Sequence, residues 1–188
     1  MLQTLQTQEA AETRGADVAR RDGTATLVPV AVDTAVDAAS MLVAVHGRVE
    51  RQFALYEQAE GGQRRQYQAM RAIGTALATH VALEDELLYP ALRAHTANYD
   101  PEIERQLEQD HLLDTIMVEL RGMIPADRHF DAKVQVLMQV FRQHARDSET
   151  LLLPELRRRL DPGEREQLSY RLLERLGQLE SRSWRRGW

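Results

Sequence analysis

The sequence predicts an all-α protein: an up-down-up-down four-helix bundle with an extra C-terminal helix and a loosely ordered N-terminal arm. Three observations predict it. Only 10 Gly and 6 Pro interrupt 188 residues rich in Leu, Glu, Gln and Arg, a composition that favours helix. From Leu42 onward apolar residues recur in steps of three and four, the period of a helix with one buried face. Finally, an offset of 64 or 65 residues lays His46 on His111 and His80 on His144, with a proline ten residues after the histidine in both His80–Pro90 and His144–Pro154. Two similar helical hairpins facing each other make a four-helix bundle.

The elements follow in order. Residues 1–30 are polar and show no sustained apolar period, as expected of an arm. The bundle is expected over 31–160. Its first helix carries Leu42, Val45, His46, Val49, Phe53 and Tyr56 on one stripe and stops at Gly61 and Gly62. The second, from about residue 63 to 94, aligns Met70, Ile73, Leu77, His80, Glu84, Leu87 and Ala91, and Pro90 predicts a kink or an early stop. Asp100-Pro101-Glu102 reads as an N-cap followed by proline at the first helical position, where proline costs least. The third helix then places Leu107, His111, Asp114 and Val118 on one side, with Leu112, Ile116 and Leu120 beside them; Gly122 and Pro125 close it. The fourth, from about 128 to 160, has the stripe Val134, Leu137, Phe141, His144, Ser148 and Leu151. Asp161 and Glu164 form a capping box for the last helix, whose Leu168, Leu172, Leu176 and Leu179 recur at its period. Residues 161–188 are this helix and a basic tail, a surface through which the chain could form oligomers.

Composition also narrows the chemistry. The formal net charge is -5, so no general basic surface awaits a phosphate backbone, and no nucleic-acid partner is expected. Arg182, Arg185 and Arg186, interleaved with Trp184 and Trp188, read as a solvated helix end whose tryptophans pack on the bundle or a neighbouring subunit. No apolar run approaches the roughly 18 residues a membrane span needs, and Met1–Ala10 lacks the apolar centre of a secretory signal. A cytoplasmic protein without membrane contact is expected. Without cysteine, any metal must be held by nitrogen and oxygen.

The candidate site is set by polar residues on apolar stripes. His46, His80, His111 and His144 give one inward histidine per helix. Burying four imidazoles together without a cation leaves several nitrogens unpaired, at roughly 1 to 3 kcal/mol each. Glu84 stands one turn from His80 on the same face. Ser148 occupies the equivalent place after His144. Glu149, one residue further, is rotated by about 40° from the same face, which a bend near Pro154 absorbs; Asp147 points further away. His95 and His129 lie near helix ends without repeat partners and read as surface residues. Glu108-x-x-His111 has ferritin-like spacing but no second copy, Phe141 standing where its glutamate would be. Tyr56 and Tyr89 lie on or beside core stripes and read as packing. Imidazole and carboxylate without sulfur suit iron, zinc, manganese or copper, and magnesium or calcium poorly. Six such ligands are too many for one four-coordinate zinc and about right for two ions sharing carboxylates.

These residues, His46, His80-x-x-x-Glu84, His111, and His144 with Glu149, on four successive helices with prolines at 90 and 154, resemble the hemerythrin-like (HHE cation-binding) family over about residues 35–160. The resemblance implies a non-heme di-iron centre, oxo- or hydroxo-bridged, for which zinc or manganese are possible substitutes. It implies His46, His80, His111 and His144 as ligands, Glu84 as a bridging carboxylate and Glu149 as the second, in the His-x-x-x-x-acid form of oxygen-carrying members. Two departures stand out: Thr115 replaces the second third-helix histidine of the oxygen carriers, and Ser148 replaces the acid of members with His-x-x-x-Glu in both hairpins. The expected function is reversible binding or sensing of oxygen or nitric oxide, more a binding protein than an enzyme. The alternatives are redox, repair or peroxide chemistry at the same centre, and a metal-poor structural bundle.

Overall fold

A computed structural model describes residues 37–59, 62–96 and 100–183. The expected arm, the first residues of the expected bundle, Gly61 and the Trp184–Trp188 tail lie outside them. Among the described residues there are five helices and no strand. Helix α1 is Ala38–Glu57. Helix α2 runs from Gln63–Leu83 through a π-helical turn, Glu84–Leu88, into Tyr89–Arg93. Helix α3 is Pro101–Arg121. Helix α4 joins Phe130–Asp147, a second π-helical turn, Ser148–Leu152, and Leu153–Arg159, and α5 is Pro162–Ser183. Helix α1 packs along α2 and α3 along α4, the two hairpins of the bundle, and α5 lies against α1 and α2.

The caps are where the sequence puts them. Asp100 accepts from the Glu102 N–H at 3.1 Å. Asp161 accepts from the Glu164 N–H at 2.9 Å while Glu164 accepts from the Asp161 N–H at 2.9 Å, a reciprocal box. Replacing Asp161 by alanine is expected to cost about 1 kcal/mol, seen as a lowered urea midpoint with the slope unchanged. Gly62, just before α2, has φ of 89°, a conformation that costs glycine little.

Pro90 does not stop α2, since the helix continues to Arg93. The adjustment lies upstream. Proline lacks an N–H and its ring crowds the carbonyl of residue i-4, and in both long helices the turn just before the proline is widened: the Tyr89 N–H bonds to Glu84 O and the Leu153 N–H to Ser148 O, five residues back. Each widened turn advances the stripe by one residue. Leu92 is therefore buried in place of the expected Ala91, and Leu152 in place of Leu151, which is exposed.

Two apolar clusters form the core. One gathers Val49, Phe53, Ile73, Leu77, Leu113, Leu137 and Phe141, the other Leu42, Leu83, Leu88, Ile103, Leu152 and Leu156, to which α5 adds Leu168 and Leu172. Along each of α1, α2 and α4 the passage from one cluster to the other crosses a histidine. The fifth helix is held further by Arg175, whose guanidinium forms two bonds to the Glu86 carboxylate at 2.7 and 2.6 Å, and by the Arg48–Glu180 pair.

Candidate metal centre

The polar layer between the clusters is where His46, His80, Glu84 and His144 meet. All four are buried, none more than 2% exposed, and one ligand atom from each lies within 4.8 Å of every other. The Nε2 atoms of His80 and His144 are 2.9 Å apart. Glu84 Oε2 is 3.0 Å from His144 Nε2 and 3.5 Å from His80 Nε2, while its Oε1 turns to His46 Nε2 at 3.4 Å. Three imidazoles thus aim their outer ring nitrogens at the two oxygens of one carboxylate. Phe141 lies beside all three, with ring centroids 5.4 Å from His80, 6.1 Å from His46 and 6.2 Å from His144.

The widened turns bear on this arrangement. Glu84 opens the first and Ser148 the second, and π-turns inside α-helices often mark functional sites. In the first, Tyr89 reaches back five residues so that its hydroxyl meets Glu84 Oε2 at 2.8 Å. In the second, Ser148 turns its hydroxyl toward Glu84 Oε1 at 3.5 Å. Glu149 meets the opposite side of His46, its Oε1 2.8 Å from Nδ1. It was expected as a bridging carboxylate; its contact is instead with the nitrogen that faces away from Glu84.

The third helix departs from expectation. His111 is exposed, as are Leu112, Asp114, Thr115 and Val118. The buried stripe is Ile103, Gln106, Asp110, Leu113, Ile116, Met117 and Leu120. A phase one residue away from the expected one turns Asp110 inward and His111 outward. This phase covers Ile103, Leu113 and Met117 together with the polar Gln106 and Asp110, and leaves Leu112 and Val118 exposed beside His111 and Asp114; the polar contacts of Asp110 and Gln106 with α2 and α4 accompany it. Asp110 is the buried residue beside the centre that sequence reasoning missed. Its Oδ1 lies 3.4 Å from His144 Nδ1 and 3.9 Å from His80 Nε2, and its Oδ2 is 2.6 Å from the Tyr89 hydroxyl. The remaining candidates sit apart: His95 pairs with Glu164 at 3.1 Å, His129 is exposed, Tyr56 donates to Asp131 at 2.7 Å, and Asp147 accepts from Gln109 and Gln143.

Protons in this layer are strongly biased. Burial, reinforced by the neighbouring imidazoles and only partly offset by Glu84, pushes His80 down to about 3. His144 is also opposed by burial, but the charge and hydrogen bond of Glu84, then Asp110 and Asp147, raise it above its usual value. Burial would raise Glu84 too; the charges of His80 and His144 and the hydrogen bonds of His144 and His46 outweigh it and hold the carboxyl well below the usual range. Burial and then the charge of Glu84 push Asp110 up to about 7. The Tyr89 hydroxyl has one hydrogen for two carboxylates, so a proton on Asp110 lets both contacts be made.

Without a cation these shifts set a pH dependence. The stability that neutral His80 allows above 6.5 is lost as the pH falls from there toward about 3. The contribution of Glu84 is present above 4.5 and is lost as the pH falls through its lower folded value. That of His144 is complete below 6.5 and is lost as the pH rises through its higher folded value. Asp110, raised to about 7, works against His80 over the same range, its contribution being complete below 3.8 and lost as the pH rises toward 7. In the presence of a chelator the urea midpoint is therefore expected to change little between about 4.5 and 6.5 and to fall on both sides, below as Glu84 takes up a proton and above as His144 loses one; a midpoint that climbs steadily down to pH 3 would contradict these assignments.

The donor set fits a cation. Ligand atoms about 2.1 Å from one ion and at right angles to each other stand about 3.0 Å apart, and the three separations among His80 Nε2, His144 Nε2 and Glu84 Oε2 are 2.9, 3.0 and 3.5 Å. A family model described as the hemerythrin HHE cation binding domain matches residues 37–156. The chain belongs to that family. Its match takes in α1 to α3 and α4 as far as Leu156, with every residue of the buried centre, and ends before α5. A crystal structure of a hemerythrin HHE cation binding domain-containing protein from Mycobacterium kansasii superposes with a TM-score of 0.68, covering 79% of this chain and 90% of that one at 19% identity. At that identity the likeness concerns the fold alone. No curated protein matches the chain. No helix among the described residues is long and apolar enough to cross a membrane.

Proposed function

We propose that this HHE domain is a non-heme iron protein that binds or senses a diatomic gas, oxygen or nitric oxide. The observation that carries the reading is the compact triangle of His80 Nε2, His144 Nε2 and Glu84 Oε2. Two imidazoles and one carboxylate on one side of an ion leave its other positions to small ligands, the donor pattern of non-heme iron. Iron held there supplies an open coordination position and a one-electron redox couple. His46, His80, Glu84 and His144 are at most 2% exposed, which suits a diatomic ligand better than an extended substrate.

Glu84 spans two positions, since its second oxygen faces His46 at 3.4 Å. A second iron of a di-iron pair would rest on His46 and Glu84, with Glu149 as the nearest further acid. It has fewer protein ligands than the first and is the weaker of the two. Zinc and manganese accept the same donors and are the expected competitors.

Titration of the full chain with ferrous iron under argon, followed by metal analysis and cycling between air and argon, tests this reading. One tight equivalent, a weaker second one and a reversible change in the visible spectrum are expected. Irreversible bleaching with consumption of peroxide would replace gas binding by a redox enzyme. Absence of iron uptake would leave only the helical scaffold.

A further inference from the structure

We propose that Asp110 on α3 is a positioning residue for the metal centre: it takes the hydrogen of His144 Nδ1 and thereby leaves Nε2 bare toward the cation. The inference rests on the metal-centre reading above. Helix α3 brings no histidine inward, yet it is not a passive wall. Two polar atoms with no hydrogen-bond partner among the described residues, His144 Nδ1 and Asp110 Oδ1, face each other at 3.4 Å. Each left alone is a buried polar group without compensation for its lost water, and a shift of a few tenths of an ångström closes them into one hydrogen bond.

The carboxylate is itself held. Its other oxygen meets the Tyr89 hydroxyl at 2.6 Å, and that hydroxyl also touches Glu84 Oε2 at 2.8 Å. One turn earlier on α3, Gln106 donates to the His144 carbonyl at 3.5 Å, so this helix fixes both the backbone and the ring of His144. On the far side Glu149 stands in the same relation to His46, 2.8 Å from Nδ1. Two of the three imidazoles therefore turn one nitrogen to Glu84 and the other to a carboxylate of a different helix. In metal sites such an outer carboxylate sets the tautomer and orientation of the ligand, and its loss typically weakens metal binding about 10- to 100-fold.

Two variants of similar size separate the hydrogen bond from bulk and charge. Asp110→Leu has no acceptor, whereas Asp110→Asn keeps a carbonyl oxygen for Nδ1–H. Zinc affinity of the full chain, by competition with a chromophoric chelator, is expected to fall about 10- to 100-fold in Asp110→Leu with the number of zinc ions unchanged, and to recover mostly in Asp110→Asn. In the zinc-loaded parent protein, nitrogen NMR is expected to show His144 Nδ1 protonated and slow to exchange. Loss of a zinc equivalent would make Asp110 a direct ligand and overturn the positioning role; equal losses in both variants, or none in either, would overturn it as well. If the parent protein takes up no zinc or iron, the metal-centre reading fails instead.

Discussion

His80→Ala is expected to lower iron content to about one ion per chain or less while the helices stay folded. His80 Nε2 is one corner of the triangle with His144 Nε2 and Glu84 Oε2, and alanine leaves two donors where the tight position needs three. The fold should survive because His80 contributes no cap and no bond to another helix's backbone, and its Nδ1 has no partner to strand. His111→Ala is the matched control. That histidine is exposed, so its removal should leave iron content unchanged. Metal analysis with circular dichroism on both variants checks the pair: parental iron in His80→Ala, or lost iron in His111→Ala, would show that the centre lies elsewhere.

Phe141→Ala is expected to produce the largest loss of stability. Its side chain is fully buried, packs edge-on against Phe53 at 5.5 Å and lies against all three imidazoles of the centre. Truncating a buried phenylalanine costs about 3 to 5 kcal/mol through lost transfer energy and an unfilled cavity, which for a chain of this size lowers Tm by roughly 10 °C. The cavity also opens beside His46, His80 and His144, so metal affinity should fall along with stability. Phe141→Leu, which refills most of the space, should recover the larger part of both. Calorimetry and metal titration on the two variants measure it; a Phe141→Ala protein as stable as its parent would mean that this end of the core is not packed around the centre.

The sequence carried much of the bundle. On α1, every residue of the expected stripe from Leu42 to Tyr56 is buried, because that helix has one apolar face and no competing one. The caps at Asp100 and Asp161 were legible for the same local reason: side chain and backbone partner lie within three residues. The second hairpin was less legible. Along α3, Leu107, Leu112 and Val118 lie outside the fully buried stripe while Leu113, Ile116 and Leu120 lie inside it, so apolar residues alone do not select a phase.

By itself, then, the sequence determined an all-helical chain, its hairpin repeat, and the inward places of His46, His80, Glu84 and His144, since each follows from periodicity within one helix. Tertiary structure decided that Asp110 rather than His111 faces the centre, because neighbouring residues on a helix differ by about 100° and only packing against the other helices settles which of them is buried. It decided equally the widened turns before Pro90 and Pro154, and with them the contacts of Tyr89 with Glu84 and of Glu149 with His46. Those depend on hydrogen bonds that skip a residue, a choice that side-chain spacing does not encode.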